Sequence, residues 1–407
     1  MRNKGFIGLL HELKVILSSK KESGLITILF LQEFVRGAFF FTFLPLYAVN
    51  HLGISVAAAG LFVSAHYLVE TLCKGAAGWQ LDRRGRPILL AGLSFGFAAL
   101  IAMKLAPSPF TFLAGSALFG LGVSPVWLAV ITGVAPVQLK DRAARMGIVF
   151  AAWLAGGGSG PVIINFFMSH DYNLAFTLLI FLWAAAFLIA LATIPGASSP
   201  IGKGAGYSLL NELKKIFRDR AVTRILLPGM FLQTLAAGVL VPLLPVYAQN
   251  NIGLNPNQYA LLLLSGGCAA ALSFLPMGRL SDRLRLKTLL GAGFGMSAFS
   301  LILFSSAHDA RTAYLLAALV GFSYAMVLPA WNNLLAKVIP QEKQATSWGV
   351  FATIEGLGVA IGPALGGALA SYGSMLSALI FSTTALAAMS CFYFLYPVEK
   401  LFEAKHK

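Results

Sequence analysis

The ionisable side chains set deep in the apolar runs of this chain are Glu33 and Arg36, then His66, Glu70 and Lys74, and far downstream Glu355. Such groups cost about 2.5–3.5 kcal/mol each on membrane-insertion scales, so each marks a functional position by default. Glu33 and Arg36 stand three apart, and His66, Glu70 and Lys74 four apart, so in helices each set shares one face. At a rise of about 1.5 Å per residue, Glu33 lies about 13 Å, and Glu70 about 12 Å, from the same membrane surface. Two carboxylates at one depth beside an arginine suit proton exchange: burial opposes charge on a carboxylate and a guanidinium favours it. Glu33 is the expected proton carrier, Arg36 its tuning partner, and Glu70 a second site or counter-charge. Lys74 lies nearer the surface and either joins this set or snorkels to water. For Glu355 the choice stays open between a second titrating group, a substrate contact and an interhelical hydrogen bond.

The elements that must position these groups are membrane helices. The chain is 58% hydrophobic and 11% charged, with a mean hydropathy of +0.79, against about 25% charged residues in a soluble domain. Its apolar runs are long enough to cross a ~30 Å hydrocarbon layer as helices. They predict twelve spans, at 25–49, 56–77, 87–106, 109–134, 144–168, 172–194, 222–248, 256–278, 287–307, 310–336, 345–370 and 374–396. The expected class is an all-α membrane protein of two six-helix halves, 25–194 and 222–396. Around the halves lie an interfacial segment at 1–24, a linker with an amphipathic helix at 195–221 and a tail at 397–407. Phe6–Leu17 and Tyr207–Asp219 are amphipathic and are expected to lie along the membrane surface, and no cleavable signal peptide is expected. Cys73, Cys268 and Cys391 fall within spans and offer neither a metal spacing nor a disulfide framework.

A net charge of +15 raises the question of nucleic acid, but the distribution of charge answers it. Lys and Arg cluster in alternate loops, at 2–21, 83–86, 140–145, 203–224, 279–287, 337–343 and 400–407, while the intervening loops carry little beyond Lys104 and Arg311. This is the positive-inside pattern of a multi-pass protein, with both termini and the central loop expected in the cytoplasm. No nucleic-acid partner is expected.

The chain also repeats itself at an offset of 200 residues. Leu44-Pro45 and Tyr47-Ala48 return as Leu244-Pro245 and Tyr247-Ala248, and Asn50 and Gly53 as Asn250 and Gly253. Duplicated membrane halves are typical of secondary transporters. The second copy has Gln233, Ala236 and Ala270 where the first has Glu33, Arg36 and Glu70. A charge cluster needed only by the scaffold would be needed twice, so its loss from one copy points to function.

Gly78-Trp79-Gln80-Leu81-Asp82-Arg83-Arg84-Gly85-Arg86 resembles the signature loop of the major facilitator superfamily, and Gly278 to Arg283, with Asp282 and Arg283, resembles its weaker second copy. Gly156–Gly158 with Gly160-Pro161, echoed by Gly356, Gly358 and Gly362-Pro363, resembles the Gly-Pro motif of that superfamily's proton-coupled antiporters. Small residues at these spacings allow close helix packing, either at a moving interface or in a static one. The resemblance implies a gate role for Gly78, Asp82, Arg83, Gly85, Arg86, Asp282 and Arg283, and transport by alternating access. Glu33 to Gly37, Ser64 to Tyr67, Val123 to Trp127, Trp153, Leu328 to Asn332 and Trp348 to Phe351 further resemble the proton-coupled flippases of the lipoteichoic-acid glycolipid anchor. That implies antiport of protons against a diacylglycerol-linked disaccharide, with the sugar in the first half and the acyl chains in the second.

His66, Trp127, Trp153, Trp331, Asn332 and Glu355 are the expected cavity residues, although the tryptophans also suit core packing. The chain departs from the flippase pattern in Glu70, where Asp is favoured, and in its intact Asp82-Arg83, as in drug/proton antiporters. Ser116 stands where many drug antiporters carry arginine. The first expectation is a glycolipid or other amphipathic lipid, the second drug or amphipathic-solute efflux, and the third a sugar or metabolite. A non-transporting scaffold or receptor is a different class, disfavoured by the one-sided charge cluster and the gate loops. No nucleophile–base set, metal cluster or Walker sequence is present, so neither enzyme chemistry nor ATP drive is expected. The expected partners are the bilayer, the amphipathic cargo and protons, for a monomer without cofactor in a bacterial plasma membrane.

Overall fold

A computed structural model describes residues 12–136, 139, 142–195, 222–281, 284–336 and 344–396. The expected linker segment 196–221, the tail 397–407, and Asp282 and Arg283 lie outside the described residues. After a helical stretch at 12–18 come α1 (Lys20–His51), α2 (Val56–Arg84), α3 (Arg86–Leu105), α4 (Pro109–Val134), α5 (Arg142–Met168) and α6 (Tyr172–Thr193). The second series is α7 (Val222–Asn250), α8 (Pro256–Ser281), α9 (Leu286–Phe304), α10 (Ala310–Ala336), α11 (Gln344–Tyr372) and α12 (Met375–Leu395). Among the described residues, eleven helices are long and apolar enough to cross a membrane. α8 is not among the eleven; its 26 residues supply the length of the remaining expected span.

Local chemistry sets the helix ends. The Ser19 and Ser108 hydroxyls accept the backbone N–H groups of Glu22 and Thr111, Asp171 accepts from Asn173, and Ser374 forms a capping box with Ser377. Each supplies a partner for one of the unpaired donors of a first turn. α2 runs beyond its expected end at 77 to Arg84. There Gly85, at φ +61°, reverses the chain into α3 in a backbone region that glycine enters without penalty. Within α1, Phe39–Phe43 and Tyr47–His51 widen into π-turns around Pro45.

The helices form two compact units. One takes in the described residues of Met1–Tyr47 and Ala65–Gly206, and the other those of Ala48–Ser64 and Tyr207–Lys407. In the first, α1 packs on α5, α6 and α4, and α3 on α4 and α6. The second reproduces this scheme, with α7 on α11 and α12, and α9 on α10 and α12. The segment 48–64 belongs to the second unit for specific reasons. The Ala364 N–H, one residue past Pro363, donates to Ser64 Oγ at 2.8 Å. Gly60 abuts the Pro363 carbonyl, and Asn50 Nδ2 donates to Gln249 Oε1 at 2.8 Å.

The glycines of α5 and α11 seat each helix within its own unit. A Cβ on Gly156 or Gly160 would strike the carbonyl oxygens of Phe30 and Phe34 in α1, and one on Gly358 or Gly366 those of Phe231 and Val239 in α7. The static-packing reading therefore applies to these four positions. Gly160→Leu is expected to lower stability by at least about 1–3 kcal/mol, because the neighbour is backbone and cannot rotate away. Gly158→Ala, whose added Cβ meets nothing within 4 Å, is the control, and thermal unfolding in detergent compares the two.

A candidate proton site in the first unit

The first unit joins the charged residues of α1 and α2. Arg36 donates from Nε and Nη2 to Glu33 Oε2 at 3.0 and 2.5 Å. Gln32 Nε2 donates to Glu33 Oε1 at 3.1 Å. The remaining arm of the guanidinium, Nη1, lies 3.5 Å from Glu70 Oε2, and Lys74 Nζ lies 2.8 Å from Glu70 Oε1. His66 Nε2 is 3.6 Å from Glu70 Oε2. Glu33, Glu70 and His66 are buried. Two carboxylates and two cations balance when both acids are ionised, so any proton added to the set unbalances a buried network.

Sequence spacing had placed these residues on shared helix faces; the packing adds partners it did not point to. Gly156 of α5 lies directly against Glu33 Cβ, so a missing side chain makes room for the acid. The Arg36 guanidinium sits 5.7 Å from the centre of the Tyr67 ring, a distance at which the ring face attracts a cation. Gln32 and Tyr67 were not singled out by spacing, since neither carries charge. Arg145 had been read as a topology charge. It is instead buried, bonding Glu12 at 2.7 Å, Glu22 at 2.9 Å and the Val134 carbonyl at 3.1 Å, and so ties the helical stretch at 12–18 to α1, α4 and α5. The acids at 12 and 22, isolated within a basic segment, were its signal.

The other expected site residues are dispersed. Trp127 and Trp153 are half-buried and meet edge to face at 6.2 Å. Trp331 is buried in an apolar cluster with Phe294 and Tyr393, a packing position. Its indole N–H lies close enough to Glu355 to interact with it. Glu355 is half-buried, interacts with Tyr324, and has no ion-pair partner among the described residues. The Asn332 side chain lies outside the described residues. In the loop motif, Gly78 closes on Leu128, Arg83 stacks on Trp79 at 3.8 Å, and Arg86 donates to the Leu191 carbonyl at 2.9 Å. Asp82 forms no ion pair among the described residues.

Duplicated helical units with an ionisable cluster in one copy are the organisation of a secondary transporter. The family pattern of the Major Facilitator Superfamily matches residues 25–236 and 226–406, and the chain belongs to that superfamily. It is a multi-pass membrane transporter and not an enzyme. Among curated relatives it is 28% identical over 392 residues to the proton-coupled antiporter flippase LtaA of Staphylococcus saprophyticus, covering 94% of this chain and 96% of the relative. The flippase of the same name from Staphylococcus aureus is 28% identical over 394 residues, with the same coverage. Solved structures agree on the fold alone. The nucleoside transporter NupG superposes with a TM-score of 0.73 at 16% identity, over 92% of this chain and 99% of that one. A bacterial homologue of the human lysosomal transporter Spinster gives 0.71 at 16% identity, over 95% and 96%.

Proposed function

We propose that the protein is a proton-coupled antiporter that flips an amphipathic glycolipid, such as a diacylglycerol-linked disaccharide, across a bacterial plasma membrane. In this reading both termini are cytoplasmic, Glu33 carries the proton, Arg36 tunes it and Glu70 is the second acid. Trp127 and Trp153 face the sugar and the Gly78–Arg86 loop serves the gate, whereas His66, expected in the cavity, is wholly buried among the rings of Phe40, Tyr67 and Phe119 and does not line it. The observation that carries the reading is the buried Glu33–Arg36–Glu70 network, built on a duplicated scaffold whose second copy has Gln233, Ala236 and Ala270 instead. The near full-length likeness to proton-coupled flippases supports the cargo class.

Efflux of cationic amphipathic solutes is the second reading. It draws on Glu355, a carboxylate in a span without a cation of its own, since such a group favours a positively charged ligand. Purified protein in vesicles carrying a pH gradient, offered a fluorescent diacylglycerol-linked disaccharide and cationic dyes side by side, separates the two. Gradient-dependent glycolipid movement is the expected result. Dye movement alone reverses the order, and glycolipid scrambling that ignores the gradient removes proton coupling.

A further inference from the structure

One face of α2 runs from an exposed position into the interior of its unit. Along it the side chains of Lys74, Glu70 and His66, successive at four-residue spacing, are 41%, 8% and 0% exposed. Lys74 holds Glu70 by Oε1. Among the described residues the other oxygen, Oε2, has no hydrogen-bond partner, and neither has either ring nitrogen of His66. Buried polar atoms without partners are costly and call for an explanation. Here Glu70 Oε2, whose nearest cation is Arg36 Nη1 at 3.5 Å, and His66 Nε2 face each other at 3.6 Å, slightly beyond hydrogen-bonding reach.

The imidazole is otherwise enclosed by rings. Phe40 of α1 stacks on it at 4.0 Å and 11°, Tyr67 meets it edge-on at 4.7 Å, and Phe119 of α4 lies at 5.5 Å. The titratable or charged groups around it are Arg36 and Glu33 from α1, and Tyr67, Glu70 and Lys74 from its own helix. α4 presents Phe119 and Gly120, and neither titrates. An aromatic enclosure disfavours an imidazolium unless a carboxylate closes on it, and Glu70 is the acid within reach.

We propose that His66 and Glu70 form a second proton-holding pair, linked to Glu33 through Arg36 and loaded through the exposed Lys74 end. This rests on the proton-coupled reading above. A proton arriving from the Lys74 end is taken up by the Glu70 carboxylate, which hands a proton to His66 Nε2, and the resulting N–H donates back to the carboxylate. Release reverses these transfers, and no other bond is made or broken. The pair gives the transport cycle a proton store that water does not touch directly.

The test uses full-length protein in nanodiscs with 15N-labelled histidine, its His66 signal assigned with His66→Gln. In wild type that signal titrates with pH, and Glu70→Gln shifts its midpoint. A signal that ignores pH while the fold persists, or one that Glu70→Gln leaves in place, overturns the pair. In vesicles, His66→Gln lowers the number of protons moved per fluorescent glycolipid, a ratio that loss of folded protein does not change. An unchanged ratio also overturns the proposal. Absence of proton flux from wild type counts against the antiport reading instead, and the nanodisc titration then decides the pair by itself.

Discussion

Glu33→Gln is expected to reduce gradient-driven transport to the level of protein-free vesicles, the largest functional effect of any single change considered. The carboxamide keeps the size of the side chain and its place against Gly156. It binds no proton in the working range, and it presents no charge to the two Arg36 nitrogens that now converge on Oε2. A step that depends on forming and breaking that ion pair then has nothing to titrate. Proton influx triggered by glycolipid, read with a pH-sensitive dye inside the vesicles, should vanish with it. A variant that still moves cargo uphill at the expense of a pH gradient would shift the carrier role to Glu70.

Arg36→Ala carries the largest expected effect on stability. Its guanidinium is the group shared by both buried carboxylates, so its removal leaves Glu33 with Gln32 alone and Glu70 with Lys74. Breaking a buried charge pair by deleting one partner costs roughly 3–5 kcal/mol, because the charge left behind is uncompensated. Thermal unfolding in detergent should show a lower midpoint for Arg36→Ala, and much of the loss should return when Glu33→Gln is added to it. Equal stability of Arg36→Ala and wild type would mean that water, not arginine, compensates these acids.

The membrane helices were legible because each apolar run is punctuated by Gly, Pro or charge, and the repeat supplied several landmarks, such as Leu44-Pro45 and Leu244-Pro245, twice. The charge cluster was legible for a related reason: three- and four-residue spacing fixes a helix face, and the depth of Glu33 matched that of Glu70. What the sequence did not convey depends on packing between elements. Nothing local distinguishes Trp331, buried in a core cluster, from the paired Trp127 and Trp153. The burial of Arg145 by Glu12 and Glu22 joins residues far apart in the chain, and charge counting read Arg145 only as one of the topology charges at 140–145. The grouping of residues 48–64 with the second unit follows from the Ser64 hydroxyl and Gly60 meeting a proline-containing stretch of α11, a match that neither segment reveals alone.

The seam between α1 and α5 is made largely by main-chain atoms, with Gly156 and Gly160 lying on the carbonyls of Phe30 and Phe34. Its fit therefore makes no demand on the chemical identity of the residues bordering it, provided the glycines remain. Descendants of such a gene can exchange Glu33, Arg36 and Glu70 together, as the second copy has with Gln233, Ala236 and Ala270, and keep the same backbone seam.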